Sequence, residues 1–371
     1  MANGGRSRRQ VLAGLSTVGI GAIAGCLRAP AGESETPTPA ETHFATPTPR
    51  DIELPPIDDE ARYAEVYNAT IDSVAMVNAI GPAGPLGQGS GFVYSPGHVL
   101  TNEHVIRGAT DIELQFPGNL WTAGNVIGED PHSDLAIIGV DSLPETAIPI
   151  EESQHRPTVG QEVMALGNPF GLEESVSLGI VSGVGRNLPT AEGFSIPDTI
   201  QTDAIVNPGN SGGPLVTMRG RYLGVITARR GQAIGFAVSW RLVDRVAPAL
   251  IESGIYDHPF IGIRSLPVTP VIAEANGLDR VAGVIVVDLV DGGPAAEHLR
   301  GSDRFEVING REVPIGGDVI VAMDGHPVET DEALSTFLAL HTSPGSEIAV
   351  TVIRDNEEIT QRFELGTRPP L

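Results

Sequence analysis

At 371 residues the chain is long enough for two or three domains, and 45 Gly, 30 Pro and little sustained helical periodicity predict a mainly β protein. It carries 47 acidic against 23 basic residues, a net charge of −24, and every one of the basic residues is Arg. No basic patch is apparent, which excludes nucleic acid as a partner, and a single cysteine, Cys26, excludes an intramolecular disulfide.

Complete absence of Lys beside abundant Asp and Glu is the composition expected of an extreme halophile. In molar salt the Debye length falls to about 3 Å, so the carboxylates hydrate the surface with little mutual repulsion. The N-terminus carries Ser7-Arg8-Arg9-Gln10-Val11-Leu12, a mildly apolar Gly-rich run to Ala24, then Ile23-Ala24-Gly25-Cys26. The run is too short and too glycine-rich for a membrane span and fits the apolar region of a signal peptide. The paired arginines resemble a twin-arginine export signal, and Ile-Ala-Gly-Cys resembles a lipobox. Residues 1–26 are therefore expected to be the signal of a haloarchaeal-type lipoprotein, with Cys26 the lipid anchor at the extracellular face of the membrane. Residues 27–60, with Thr36-Pro37-Thr38-Pro39 and Thr46-Pro47-Thr48-Pro49, cannot bury a core and are expected to be a disordered tether. Asn68-Ala69-Thr70 is a glycosylation sequon of a kind frequent by chance.

A short helix is expected from Asp59 to about Asn68, opening a domain over 61–253. Strand patterns follow at 71–79, 91–94, 98–101, 111–116, 125–128 and 135–140, and again at 162–166, 175–184, 199–201, 215–217, 222–227 and 234–238. Two sets of about six short strands with Gly/Pro punctuation fit two packed β-barrels. A helix is expected at Trp240–Ser253.

The segment Asn207-Pro208-Gly209-Asn210-Ser211-Gly212-Gly213-Pro214-Leu215 presents a serine between glycines two before and two after. Acyl transfer needs such a hydroxyl beside bare amide donors, with a base and an orienting acid. Gly209-x-Ser211-x-Gly213 also matches the nucleophile elbow of α/β-hydrolases, whose acid and histidine follow the serine; Asp244 or Asp257 with His258 or His298 would then serve. Here, however, Ser211 runs into a β-hairpin pattern rather than a helix. The order His104, Asp134, Ser211 is that of two-barrel proteases, with Ser211 as nucleophile, His104 as base and Asp134 fixing the imidazole. His98 and His104 are six apart without a His-Glu-x-x-His pattern, so no metal site is expected.

Gln201-Thr202-Asp203-Ala204-Ile205-Val206 running into the serine segment resembles the active-site signature of the HtrA (Deg) family of serine proteases. Gly89-Ser90-Gly91-Phe92-Val93, Thr101-Asn102-Glu103-His104-Val105 and Gly167-Asn168-Pro169-Phe170-Gly171 with Leu178-Gly179-Ile180-Val181-Ser182 extend the resemblance over roughly residues 62–367. It implies a chymotrypsin-like double β-barrel, an oxyanion hole at Gly209, Asn210 and Ser211, and no cofactor. It also implies a primary pocket with Ile205 at its floor, which disfavours cleavage after basic residues. Asp203 lies two residues from that floor, on the same side by strand alternation. Ile226, Thr227 and Ala228 are expected to line the strand that pairs with substrate. The implied activity is ATP-independent proteolysis of unfolded or damaged exported proteins, by a homo-oligomer, a trimer in many family members. A peptide-binding chaperone or scaffold, or a regulatory protease of one membrane-bound target, are the alternatives.

Residues 254–371 form a further domain by pattern. Phe260-Ile261-Gly262-Ile263, Ala282–Val287, Gly293-Pro294-Ala295-Ala296 and Gly317–Gly325 resemble a PDZ domain, with Phe260–Ile263 as its carboxylate-binding loop and Thr330–His341 as the helix walling the groove. Arg300–Gly316 is an insertion relative to the simplest members.

Overall fold

The computed structural model describes residues 60–168, 175–191, 193–207, 209–230 and 234–371. The export signal with Arg8 and Arg9, the Cys26 anchor, the tether, and Pro169, Phe170, Gly171 and Pro208 of the motifs lie outside the described residues.

Helix α1 (Glu60–Thr70) passes through a 3-10 turn into strand β1 (Val74–Gly81), which begins three residues later than the pattern implied. Strands β2 (Gly84–Ser95) and β3 (His98–Thr101), the short helix α2 (Glu103–Ile106), β4 (Asp111–Phe116), β5 (Leu120–Asp130) and β6 (Leu135–Gly139) follow. They close into a barrel of order β1-β2-β3-β6-β5-β4. A second closed barrel contains β7 (Glu162–Gly167), β8 (Ser175–Pro189), β9 (Ser195–Thr202), β10 (Pro214–Thr217), β11 (Tyr222–Arg230) and β12 (Ile234–Ser239), in the order β10-β11-β12-β9-β8-β7. Closure leaves neither barrel an unpaired edge. Each has its own apolar filling, with Val77, Val99, Leu114 and Ile138 in the first and Val163, Leu215, Leu223 and Ile226 in the second. A third cluster joins them: Phe92, Leu100 and Ile137 meet Met164, Leu166, Tyr222 and Val238. Helix α3 (Trp240–Ser253) covers this seam with Leu242, Val243, Val246 and Leu250. Ser239 caps its start, and Gly254 ends it at φ 82°, a conformation that suits glycine.

The remaining chain builds β13 (Pro259–Phe260), β14 (Ile263–Pro267), α4 (Pro270–Ala275), β15 (Val284–Leu289), β16 (Arg304–Ile308), β17 (Arg311–Ile315), β18 (Val319–Met323), β19 (His326–Pro327), α5 (Asp331–His341), β20 (Glu347–Arg354), β21 (Glu357–Glu364) and β22 (Gly366–Thr367). The main sheet runs β14-β15-β18-β20-β21, and β13 pairs with β22. Alternation splits its side chains between two faces. Val284, Val286 and Ile320 pack with Leu334 and Phe337 of α5, whereas Ile285, Val319 and Val321 pack with Ile272 and Ala273 of α4. The Arg300–Gly316 insertion forms the β16–β17 hairpin, turning at Asn309-Gly310 with both φ angles positive. Its Val313 and Ile315 join the α4 side. The insertion thus covers the face opposite α5 and does not enter the groove between β14 and α5.

The PDZ portion is docked on the second barrel through α5. Asn187 at the end of β8 donates to Asp331 at 2.9 Å and accepts from Ser335 at 2.6 Å. Arg245 of α3 donates to the carbonyls of Leu340 and Thr342 at 2.8 and 2.7 Å, satisfying groups the end of α5 leaves free.

Candidate active site

Thr101 pairs with Ala136 at one rim of the first barrel. Three residues beyond Thr101 and two before Ala136, the chain therefore presents His104 and Asp134 from the same end. Asp134 sits in a turn at φ 56°, outside the usual range for a non-glycine residue, and Asn102 donates to its carbonyl at 2.9 Å. His104 Nδ1 is 2.9 Å from both carboxylate oxygens of Asp134, and the His104 amide donates to Oδ1 at 3.0 Å. Burial pushes the His104 pKa down, but the Asp134 hydrogen bond and charge, with the Glu103 charge, outweigh it and hold it above 6.5. Glu103 is itself buried and receives a two-pronged contact from Arg107.

The serine comes from the second barrel, on the loop ahead of β10. Ser90 of β2 clasps that loop across the seam. Its amide donates to the Ser211 carbonyl at 2.7 Å, its hydroxyl donates to the Gly209 carbonyl at 2.6 Å, and the same hydroxyl accepts from the Asn168 amide at 3.0 Å. Gly212 has φ 87°, and a Cβ there would stand 2.0 Å from the Ser90 carbonyl oxygen, so only glycine fits. Gly209 has φ 99°. Among the described residues, the amides of Gly209 and Ser211 have no acceptor. Asn210 is buried and points inward, accepting from Ser175 at 2.8 Å.

Thr227 joins the two halves. The register of β11 on β12 slips between Ile226 and Ala228, leaving Thr227 as a bulge residue. Such bulges re-aim groups beside active sites. Here the Thr227 hydroxyl donates to Asp134 Oδ2 while its carbonyl accepts from the Ser211 hydroxyl at 3.3 Å. The predicted triad is thus brought together, His104 and Asp134 directly and Ser211 through Thr227. Beside it lies a cleft of about 350 Å³, with His104 and Asp134 on one wall and Leu188, Pro189, Phe194 and Ile196 of the β8–β9 hairpin on the other.

One expected substrate contact is corrected. Ile226 has its side chain in the second barrel's core, its amide donates to Gly213, and its carbonyl accepts from Gly212. Nothing of it is left to meet a substrate. Ile205 is 58% exposed. Alternation turns Ala204 and Val206 inward and Asp203 and Ile205 outward, and Ser177 holds the Ile205 carbonyl at 2.7 Å. Asp203 is on that outer side and accepts from the Ile180 amide at 2.7 Å, so its carboxylate serves strand β8. Ala228 lies on β11 just past the bulge. His258, an alternative partner for the serine, instead pairs with Asp130 at 2.7 Å.

In the PDZ portion, Phe260 pairs with Gly366, Ile263 with Leu289, and Gly262 turns the chain between them at φ 78°. The carbonyls of Ile261 and Gly262 accept from Ala295 and Val290, while their amides have no acceptor among the described residues.

Residues 89–225 match the family model of the trypsin-like peptidase domain, and residues 259–365 match that of the PDZ domain. Among solved structures, the HtrA-type protease AlgW with a tripeptide superposes with a TM-score of 0.67 at 31% identity, covering 83% of this chain and 98% of that one. The chain belongs to the HtrA family. A serine endoprotease from Yersinia pestis superposes at 0.59 with 26% identity, covering 85% of this HtrA chain and 100% of its own. A probable periplasmic DegP-like serine endoprotease of Pseudomonas fulva is 34% identical over 76% of this chain. Protease Do-like 1 of Arabidopsis thaliana chloroplasts is 35% identical over 77% of it. The chain spans 56% of the length of the first of these two relatives and 65% of the second.

Proposed function

We propose that this HtrA protein is a serine endopeptidase that hydrolyses unfolded or damaged exported proteins without ATP. The observation that carries the reading is the meeting of His104, Asp134 and Ser211 at the seam of the two barrels, with His104 bonded to Asp134 and Thr227 bonded to both Asp134 and Ser211. In the reaction, Ser211 leaves the Thr227 carbonyl and turns to His104. Its oxygen bonds to the substrate carbonyl carbon while the proton passes to His104 Nε2. The C–N bond then breaks as His104 returns that proton to the departing amine. Water, deprotonated by the same imidazole, cleaves the resulting ester and restores the serine. Asp134 holds Nδ1–H throughout and stabilises the imidazolium. The Gly209 and Ser211 amides receive the oxyanion, each such donor contributing about 2.7–4 kcal/mol in enzymes of this kind.

Substrate tails are read by the PDZ domain, with the Ile261 and Gly262 amides receiving a terminal carboxylate and β14 adding the peptide as a strand. The twin-arginine and Ile-Ala-Gly-Cys26 segments support export and lipid anchoring outside the cell, with 27–60 as spacer, 61–253 as the protease and 254–371 as the PDZ domain. The Lys-free acidic composition supports operation in concentrated salt, and family membership supports a trimer. Digestion of a casein-like unfolded protein in molar NaCl by wild type and Ser211→Ala tests the reading. Wild type is expected to cleave and the variant not; cleavage by the variant, or none by wild type, overturns it.

A further inference from the structure

We propose that Asp130, His132 and His258 form a binding site for a divalent transition ion of the zinc class. Each residue offers one ligand atom, and the three atoms lie within 4.8 Å of one another. All three side chains are buried: Asp130 is 3% exposed and the two histidines 7% each. Two imidazoles with one carboxylate form a donor set suited to zinc and its neighbours rather than to calcium or magnesium, which prefer oxygen alone.

Two features of the cluster point to a ligand. His258 Nε2 already meets Asp130 Oδ2 at 2.7 Å, but the third member does not complete the network. His132 Nε2 is buried with no hydrogen-bond partner among the described residues, although its ring lies 5.3 Å from that of His258. Leaving such an atom unpaired costs about 1–3 kcal/mol, which a metal bond would remove. Asp130 is meanwhile held in orientation by hydrogen bonds from the Ser133 hydroxyl and the His132 amide, as metal-binding carboxylates commonly are. Bonds of about 2.0–2.2 Å to nitrogen and oxygen separate tetrahedral ligands by roughly 3.3 Å. The Asp130–His258 contact must therefore open by some tenths of an ångström, and the proton between them is released as the ion takes its place. Three protein ligands leave a fourth position for water.

The location gives the ion a structural task. Asp130 ends β5 and His132 stands two residues before Asp134, whereas His258 immediately precedes β13 of the PDZ portion. The ion would therefore fasten the turn bearing Asp134 to the start of the PDZ portion, across 128 residues of chain. One neighbour opposes it. Arg368 donates its amide to the His258 carbonyl at 2.9 Å, and its guanidinium lies 5.2 Å over the Phe194 ring, which in turn packs at a tilt against His132. That positive charge weakens cation binding and gives the site a directional signature.

Cobalt(II) is the probe, titrated into the full chain in molar NaCl with excess Mg²⁺ to occupy surface carboxylates. The expected result is one Co²⁺ per chain with visible ligand-field absorption, displaced by Zn²⁺. His132→Ala, which leaves the Asp130–His258 bond in place, is expected to bind more weakly by more than the roughly 10–100-fold typical of losing an outer-shell partner. Arg368→Gln is expected to bind more tightly. Paramagnetically shifted imidazole resonances from two histidines in the wild-type Co²⁺ protein supply the same evidence without any variant. Absence of stoichiometric Co²⁺ binding, equal binding by wild type and His132→Ala, no gain in Arg368→Gln, or no shifted histidine resonances would each overturn the proposal.

Discussion

Asp134→Asn isolates the chemistry of the site from its architecture. Three donors converge on the two carboxylate oxygens: His104 Nδ1 and the His104 amide on Oδ1, and Nδ1 again with the Thr227 hydroxyl on Oδ2. Asparagine keeps the shape but offers one acceptor and one NH₂ group. If its oxygen faces the His104 amide, its NH₂ stands where Oδ2 stood. The Thr227 hydroxyl can rotate to accept from it, and Nδ1, at 2.9 Å from that position, accepts as well. Nδ1 then carries no proton, Nε2 does, and the imidazole faces Ser211 with the wrong nitrogen protonated. The same exchange in a two-barrel protease costs about 10⁴ in kcat, or roughly 5.4 kcal/mol at 1.36 kcal/mol per decade. A fluorogenic peptide assay in molar NaCl, run from pH 5 to 9, measures both the loss and its pH dependence. Wild-type activity rises as pH climbs through the elevated His104 pKa. Without the carboxylate, burial meets only the Glu103 charge in opposition and that pKa falls, so the acid limb of the variant's residual activity moves to lower pH. The linked stability runs the other way: the His104–Asp134 attraction stabilises the fold fully below 6.5 and is lost as pH rises through the raised folded value. A rate loss under tenfold with an unmoved acid limb would refute the reasoning.

Asp318 in the PDZ portion is fully buried and takes a two-pronged contact from Arg354 at 2.7 and 2.6 Å. Asp318→Ala strands that guanidinium and should cost about 3–5 kcal/mol in denaturant unfolding, little changed by salt because the pair is buried. Gly212→Ala places a methyl against the Ser90 carbonyl and Thr101 hydroxyl at a left-handed φ, so the Ser90 clasp must break. Proteolysis should fall by at least tenfold while both barrels keep their circular dichroism. Arg245→Ala removes three contacts to the end of α5. Limited digestion should then cut between α3 and the PDZ portion faster than in wild type, with the protease domain's own melting changed little.

The barrels were legible because short strands with one buried face alternate strongly, and β3 and β4 fall where the pattern puts them. Strand β8 runs five residues past its expected end because its register slips at Val181/Gly183, Gly183/Arg186 and Arg186/Leu188, and each slip breaks the two-residue period. Strand β5 begins five residues early, after a Gly118-Asn119 turn with both φ angles positive, and its outward Leu120 and Trp121 give no apolar-in, polar-out alternation. His104, Asp134 and Ser211 were legible as a candidate set because acyl transfer needs those three residue types, and their order along the chain is the one two-barrel folds use. The roles of Ser90 and Thr227 were not, since each acts on a residue about a hundred positions away and Thr227 depends on a bulge that composition does not mark. Ile226 was misread for the same reason, because a slip by one residue exchanges which neighbour faces the cleft. The Asp130–His258 pair needs the docking of one domain on the other, which no local pattern encodes.

The two edges of the PDZ sheet have unlike chemistry, with a consequence for behaviour in concentrated salt. High salt strengthens apolar association and screens the charge that keeps proteins apart, so an open strand is a site for unwanted polymerisation. The barrels present no such strand, and the outer strand β21 carries Glu357, Glu358, Arg362 and Glu364, strongly hydrated groups that resist a neighbouring strand through their water as much as their charge. That leaves β14, sheltered beside α5, as the one rim of the main sheet on which another chain can lengthen it. A molecule so finished can be sticky toward extended peptides in one groove without its main PDZ sheet polymerising strand upon strand.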